Sequence, residues 1–447
     1  MLKAGNVCNG SRKTGKRDRR FPVNLYCSLM LMSFIPFLYT IVRTNLIAGG
    51  PSADGLSIVG HIEWFDLINE TIQAFLIVPL FALLNQCAED KHKWKERIFQ
   101  TFLIVNVIYI LFSLLVLGYC GRMVSEMASG QVREVTVYLR LETIGFIVGN
   151  AVSFVNVLFV VLERPCYIYV MVFLKTIVTI IGDLFFIPVF GVNGAAISNI
   201  SVNTICVVWC LIAVYREQLL AVSFRFENPF LKKYAFIGLF GGAQVLLDNL
   251  IYALIVCKMV NQAAEQGNYW VANNMIWGLL LIPISALAEM IKKECRGGET
   301  LRKIRDYNRI IIAVFLVWLC FIPMLNPFLK NVMGIENHEA IKTILVTLIP
   351  FYLAYNYTVL FDNLLIGYGK TQYCFVISMI VNLIYYPAVY GLVLKGVFTP
   401  DIKFICRMFG FGMVVHLGCS VACFLIYNRS TFSRQKHGGR NLWSSSK

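Results

Sequence analysis

The sequence predicts an all-α polytopic membrane protein with about twelve transmembrane helices, and three observations carry that prediction. Of the 447 residues, 58% are hydrophobic and only 15% are charged, whereas soluble domains carry roughly a quarter charged residues. The apolar runs recur along nearly the whole chain, and most are about 20 residues or longer, the length an α-helix needs to cross roughly 30 Å of hydrocarbon. Finally, the basic residues collect in alternate loops, as a multi-spanning topology requires.

The twelve expected spans are 23–46, 63–86, 98–119, 136–161, 166–189, 192–214, 234–257, 268–291, 307–328, 341–366, 372–395 and 403–427. Placing the N-terminus in the cytoplasm puts 29 of the 40 Lys and Arg residues on that side and 10 on the other, with Lys175 inside a span. Both termini are therefore expected to be cytoplasmic, in a multi-pass protein of the cytoplasmic membrane. The basic segment 1–22 resembles the start of a signal peptide, but the apolar run behind it is too long and lacks a small-residue cleavage site, so it is expected to be a permanent span.

The +15 formal charge comes with no aromatic–basic module, so membrane topology explains it and a nucleic-acid partner is not expected. The 14 cysteines are scattered, mostly inside apolar segments. They show neither CxxC nor zinc-ligand spacing, so they are expected to be reduced and apolar in role.

An internal repeat at an offset of about 204 residues divides the chain. Thr44-Asn45-Leu46-Ile47 is matched by Asp248-Asn249-Leu250-Ile251, and the run 76–83 around Pro79 by the run 280–287 around Pro283. Six spans separate the copies, an even number, so they share one orientation and a pseudo-twofold axis along the membrane normal is expected. The expected organisation is a basic tail 1–22, a six-helix bundle 23–214, a basic cytoplasmic linker 215–233, a second bundle 234–427 and a cytoplasmic tail 428–447.

Ionisable groups inside a membrane are costly, so each is a candidate functional residue. Lys175 and Asp183 lie eight residues apart on one face of span 5, about 12 Å from each other and too far to pair directly. Asp66 and Glu70 share a face in the outer part of span 2, with Arg43 at the outer end of span 1 as a candidate counter-ion. Asp248 lies near the middle of span 7 between Gln244 and Asn249, with no basic residue in its own span to neutralise it. Asn273, Asn274 and Trp277 in span 8 and Tyr352, Tyr355, Asn356 and Tyr357 in span 10 are candidates for lining an amphipathic cavity, whose aromatic faces would suit bulky or cationic cargo. Packing is the competing role for these aromatics, and a satisfied core residue is the expected role of His416.

His61 and Asp66 have the HxxxxD spacing of some acyltransferases, in which an acid orients a histidine base. They fall on the expected outer side, away from cytosolic acyl donors. There is no HExxH, GxSxG or phosphate-binding Gly-Lys loop. No catalytic residue or cofactor is expected.

The stretch Gly191-Val192-Asn193-Gly194-Ala195-Ala196-Ile197-Ser198-Asn199, at the junction of spans 5 and 6, resembles the G-V-x-G-A-A-x-A-T signature of multidrug and toxic compound extrusion (MATE) transporters. Leu365-Ile366-Gly367-Tyr368-Gly369-Lys370-Thr371 is similar to that family's glycine-containing turn before span 11. With the twelve-span pattern, the resemblance covers roughly residues 23–427. Related oligosaccharide-lipid flippases share the architecture. The resemblance implies two six-helix bundles around a cavity that opens alternately to either membrane face. It also implies export of an amphipathic organic or lipid-linked solute, and H+ or Na+ as coupling ion through Asp248 and Asp183. A monomer is expected. One departure concerns the end of span 1, where many members carry an Asp and this chain has Arg43-Thr44, so Arg43 is a candidate partner for Asp183.

Overall fold

A computed structural model describes residues 21–48, 51, 58–59, 63–86, 91–127, 131–263, 265–295, 300–332 and 337–443. Among these there is no strand. Among the described residues eleven helices are long and apolar enough to cross a membrane, and a helix pair bent by 49° brings the number to twelve when it is counted as one span. The helices follow the expected spans in order.

They are α1 Val23–Ala48, α2 Glu63–Gln86, α3 Lys91–Met127, α4 Val132–Val161, α5 Pro165–Phe190 and α6 Val192–Arg216. α7 is Asn228–Ile251, continued by a π-helical turn at Tyr252–Cys257. α8 is the bent span, Gln266–Met275, a π turn at Ile276–Leu280 and Ile282–Glu294. α9 is Thr300–Phe321 and α10 is His338–Gly367. α11 joins Thr371–Met379, a third π turn at Ile380–Tyr385 and Tyr386–Leu394, and α12 is Ile402–Trp443. α3 begins earlier than expected, because its basic first turns, from Lys91 to Arg97, continue the helix of the apolar span.

The bend in α8 has a local cause. Pro283, in the first turn of the second segment, has no N–H to donate back along the helix and interrupts the ladder. The indole N–H of Trp318 donates to the carbonyl of Leu280 at 3.2 Å, satisfying a group beside the break.

Contacts divide the chain into two compact units, Met1–Ile62 with Phe102–Leu220, and Glu63–Thr101 with Ala221–Lys447. The join near residue 220 falls inside the expected linker 215–233. α2 and residues 91–101 group with the second unit, however, and not with the six-span stretch 23–214. The reason lies in α7, where Gly238 and Gly242 leave room for Phe75 of α2: a Cβ on Gly242 would sit 2.2 Å from the Phe75 ring. The hydroxyl of Tyr234 also donates to the carbonyl of Leu76 at 2.6 Å. Small residues allow this close approach where lipid supplies no hydrophobic drive between helices.

The first unit is built on the same device. Gly194 follows the turn at Gly191, whose φ of 59° suits glycine, and a Cβ on Gly194 would meet the Phe186 carbonyl at 2.2 Å. A Cβ on Gly182 would meet Ser198 Oγ at 2.5 Å. The small residues of the 191–199 stretch thus bring α5 and α6 into close contact, as the sequence suggested.

Candidate functional site

Each unit carries its own intramembrane polar network. In the first, Arg43 of α1 makes a two-pronged ion pair with Asp183 of α5, Nε to Oδ2 at 2.6 Å and Nη2 to Oδ1 at 2.9 Å. Its remaining nitrogen, Nη1, donates to Asn199 Oδ1 on α6 at 2.8 Å. Tyr39 donates to Asp183 Oδ2 at 2.9 Å. The Asn199 amide and the Tyr138 hydroxyl donate to Glu142 of α4, at 2.9 and 3.1 Å. Asp183 is fully buried, and a buried carboxylate needs such charged, hydrogen-bonded partners. The geometry depends on Gly182, which holds the Ser198–Asn199 turn of α6 against α5.

In the second unit Asp248 Oδ1 accepts from Ser378 Oγ and Asn382 Nδ2, both at 2.6 Å and both on α11. Asp362 of α10 accepts from Ser420 Oγ at 2.6 Å and faces His416 Nε2 at 2.9 Å, both on α12. Asn249 reaches Glu70 Oε2 and the Leu67 carbonyl, each at 3.4 Å. These groups border a cavity of about 580 Å³, well within the size range of small-molecule sites. Glu70, Asp248, Asp362 and His416 are its titratable wall together with Tyr252, Tyr355 and Tyr386, and no Lys or Arg lines it among the described residues. Trp277 and Tyr355 form an edge-to-face pair with centroids 5.4 Å apart on the same wall. Tyr252, Trp277 and Asn382 all lie in π turns, whose extra residue re-aims side chains and recurs at functional sites.

The structure brings together Asp248, Gln244, Asn249, Asn273, Trp277, Tyr355 and Glu70 on this one cavity. Tyr352 and Asn356 are buried and do not line it. Tyr352 instead packs edge-on against Tyr355 with centroids 5.6 Å apart. Asn274 is exposed and off the cavity, and the Tyr357 hydroxyl donates to Asn308. Asp66 is exposed on α2. Arg43 sits against Asp183 and Asn199, while Glu70 faces Asn249 in the other unit. Lys175 is exposed on α5. His416 is satisfied by a partner, as expected, but it also lines the cavity. His61, half of the HxxxxD spacing, lies outside the described residues.

Asp362 and Glu142 were missed by sequence reasoning. Each is an acid within an expected span, Glu142 in 136–161 and Asp362 near the end of 341–366, so the signal that singled out Asp183 and Asp248 was present for both. Ser378, Asn382 and Ser420 carry no signal until the carboxylates they serve are placed.

Helical spans in this order, closed by glycine-based contacts and enclosing buried carboxylates, define a polytopic α-helical membrane fold. No protein-family model matches the sequence, and no curated relative matches it. Solved structures do match its fold. A MATE transporter from Vibrio cholerae superposes with a TM-score of 0.82 at 15% identity, covering 92% of this chain and 96% of the other. A multidrug-resistance MATE transporter of the MOP superfamily in an outward-facing conformation gives 0.76 at 17% identity, covering 93% and 97%. A MOP superfamily transporter from Pyrococcus furiosus, for which reverse polarity of the binding pocket suggests a different function, gives 0.75 at 17% identity, covering 93% and 96%. The chain therefore has the MATE fold.

Proposed function

We propose that this protein is a cation-coupled secondary transporter that exports an amphipathic organic solute by alternating access, with Asp248 as the coupling carboxylate. The observation that carries the reading is the cavity of the second unit, where Asp248, Asp362 and Glu70 share the wall with an aromatic pair and no Lys or Arg lines it among the described residues. Carboxylates beside aromatic faces attract organic cations by charge and by cation–π interaction. A carboxylate in low dielectric is expensive to keep ionised, so binding H+ or Na+ at Asp248 and exchanging it for cargo links the two fluxes. Asp183 is the weaker coupling candidate, because Arg43 already occupies both of its oxygens. The alternating distribution of basic residues supports a multi-pass protein of the cytoplasmic membrane with both termini inside. We assign it as a monomer working without a cofactor.

The test is transport by Asp248→Asn in vesicles under an imposed pH or Na+ gradient, after normal insertion has been verified. Loss of gradient-driven uptake is expected. Wild-type uptake would remove Asp248 from coupling and move the assignment to a lipid-linked oligosaccharide flippase of the same architecture. That second reading is favoured by Lys175, a cation exposed midway along α5 where an anionic headgroup or pyrophosphate would find a partner.

A further inference from the structure

Two carboxylates of the second unit are held in matching ways. Asp248 is held by Ser378 and Asn382 of α11. Asp362 is held by His416 and Ser420 of α12. Each clamp is a hydroxyl and a side-chain nitrogen four residues apart, hence on one helical face. Each delivers them to the carboxylate within 2.9 Å. The Asp248 clamp places both donors on Oδ1, whereas the Asp362 clamp gives each oxygen its own partner; chemically, the Asn382 amide stays neutral at any pH, whereas an imidazole gains or loses a proton between about pH 5 and 8.

We propose that His416, paired with Asp362, carries a proton exchanged for cationic cargo, so that H+ rather than Na+ is the ion bound at this second carboxylate. The proposal rests on the transport reading above and adds the ion at Asp362 and a second coupling residue. A Na+ ion at Asp362 would require a shell of oxygen ligands, but Oδ2 of that carboxylate faces the imidazole nitrogen at 2.9 Å and Oδ1 faces the Ser420 hydroxyl. When His416 takes up a proton, the imidazolium neutralises Asp362 from within, and cationic cargo then meets only Asp248 and Glu70. When the proton leaves, one more carboxylate is uncompensated and cargo is held more strongly. The proton and the cargo thereby compete for one negative charge without touching the same atom, which is the linkage an exchanger needs.

The titratable groups that line the cavity with His416 are Asp362, its direct partner, and Tyr355 from α10, Asp248 and the adjoining Tyr252 from α7, Glu70 from α2, and Tyr386 from α11. Cys374 of α11 lies behind the pair, its thiol 3.7 Å from the Asp362 carbonyl. Of these groups the carboxyls and the imidazole are the ones whose charge changes in the acid-to-neutral range, and only the imidazole becomes cationic.

Two measurements on the purified full-length protein decide it. In the first, ¹⁵N-histidine NMR in detergent is recorded across about pH 5 to 9, with His416→Asn and His416→Gln identifying the resonance. The expected result is a His416 signal that titrates in this window and does not respond when NaCl replaces choline chloride. A signal that stays flat, or that shifts on NaCl addition, overturns the proposal. In the second, binding of tetraphenylphosphonium is followed against pH. Wild-type affinity should fall about tenfold from near pH 8 to near pH 5.5, the size expected for one added charge across a partly wet cavity. His416→Asn should show a clearly shallower fall, the part that Asp248 and Glu70 carry by themselves, and a variant that keeps the full wild-type slope overturns the proposal. Absence of tetraphenylphosphonium binding by the wild type at every pH would count against the organic-cation reading itself, while the NMR titration would still decide the role of His416.

Discussion

Replacing Arg43 with methionine removes the guanidinium and keeps an apolar stem of similar reach, so the change isolates the charge from the packing. Asp183, which is 0% exposed, would lose both prongs of its ion pair, and Asn199 would lose the donor to its Oδ1. Breaking a buried pair from one side costs about 3–5 kcal/mol because an uncompensated charge is left behind. The Arg43 side chain is 21% exposed, so water reaches the pair and the lower end, about 3 kcal/mol, is expected. At roughly 2–4 °C per kcal/mol for a unit of this size, the apparent melting midpoint should fall by roughly 6–12 °C. Fluorescence-detected size-exclusion after heating in detergent reads it. Adding Asp183→Asn in the Arg43→Met background should restore most of the loss, because a neutral amide needs no counter-charge, and the double-mutant cycle then isolates the pair. A midpoint for Arg43→Met within about 1 °C of wild type would refute the claim that Asp183 is held as a buried anion by Arg43.

Three further outcomes are expected. Gly194→Ala drives a Cβ to 2.2 Å from the Phe186 carbonyl and should cost about 1–3 kcal/mol as backbone shifts to admit it, whereas Gly118→Ala, with nothing within 4 Å, should leave thermal stability unchanged or slightly raised. Trp277→Ala removes one ring of the aromatic pair, and because Trp277 is 46% exposed the loss of affinity for an organic cation should be only about 2- to 5-fold, toward the weaker end of cation–π energies, with a smaller change for a neutral analogue measured by the same binding assay. Cys295 is buried against the Leu364 carbonyl and is a poor topology probe. An exposed position in the basic linker, Arg225→Cys, should react with an impermeant maleimide only after the membrane is opened.

Span number and order were legible because they depend on one-dimensional quantities, the length of each apolar run and the charge of each loop. The packing of α5 on α6 was legible for a related reason, since the 191–199 stretch carries its small residues close together along the chain. Assignment of α2 was not. Nothing in the run 63–86 indicates that Phe75 will fit against Gly242, 167 positions later. That contact depends on which helical faces meet, and leucine-rich helices present nearly equivalent faces. A soluble helix is oriented by its single apolar stripe, but a helix whose surface mostly meets lipid is apolar all round and gives no such cue.

The candidate site shows where such reasoning stops. Asp248, Gln244, Asn249, Trp277 and Tyr355 could be grouped because each is a costly or aromatic residue near mid-span, and the cavity does collect them. Tyr352 and Asn356 met the same criterion and are packed away from it. Tyr352 and Asn356 lie one turn apart on α10, and Tyr355, on the cavity, lies between them in sequence, so a rotation of less than one turn separates wall from core. His416 illustrates the converse. As an isolated histidine in an apolar span it is most economically a satisfied core residue, and it does have a partner. Its chemical interest comes from the partner being Asp362, 54 residues away, and from the parallel clamp on Asp248, where the corresponding nitrogen belongs to Asn382. A carboxylate matched to an amide and a carboxylate matched to an imidazole differ by one exchangeable proton, and that difference exists only once four helices have been placed around one space.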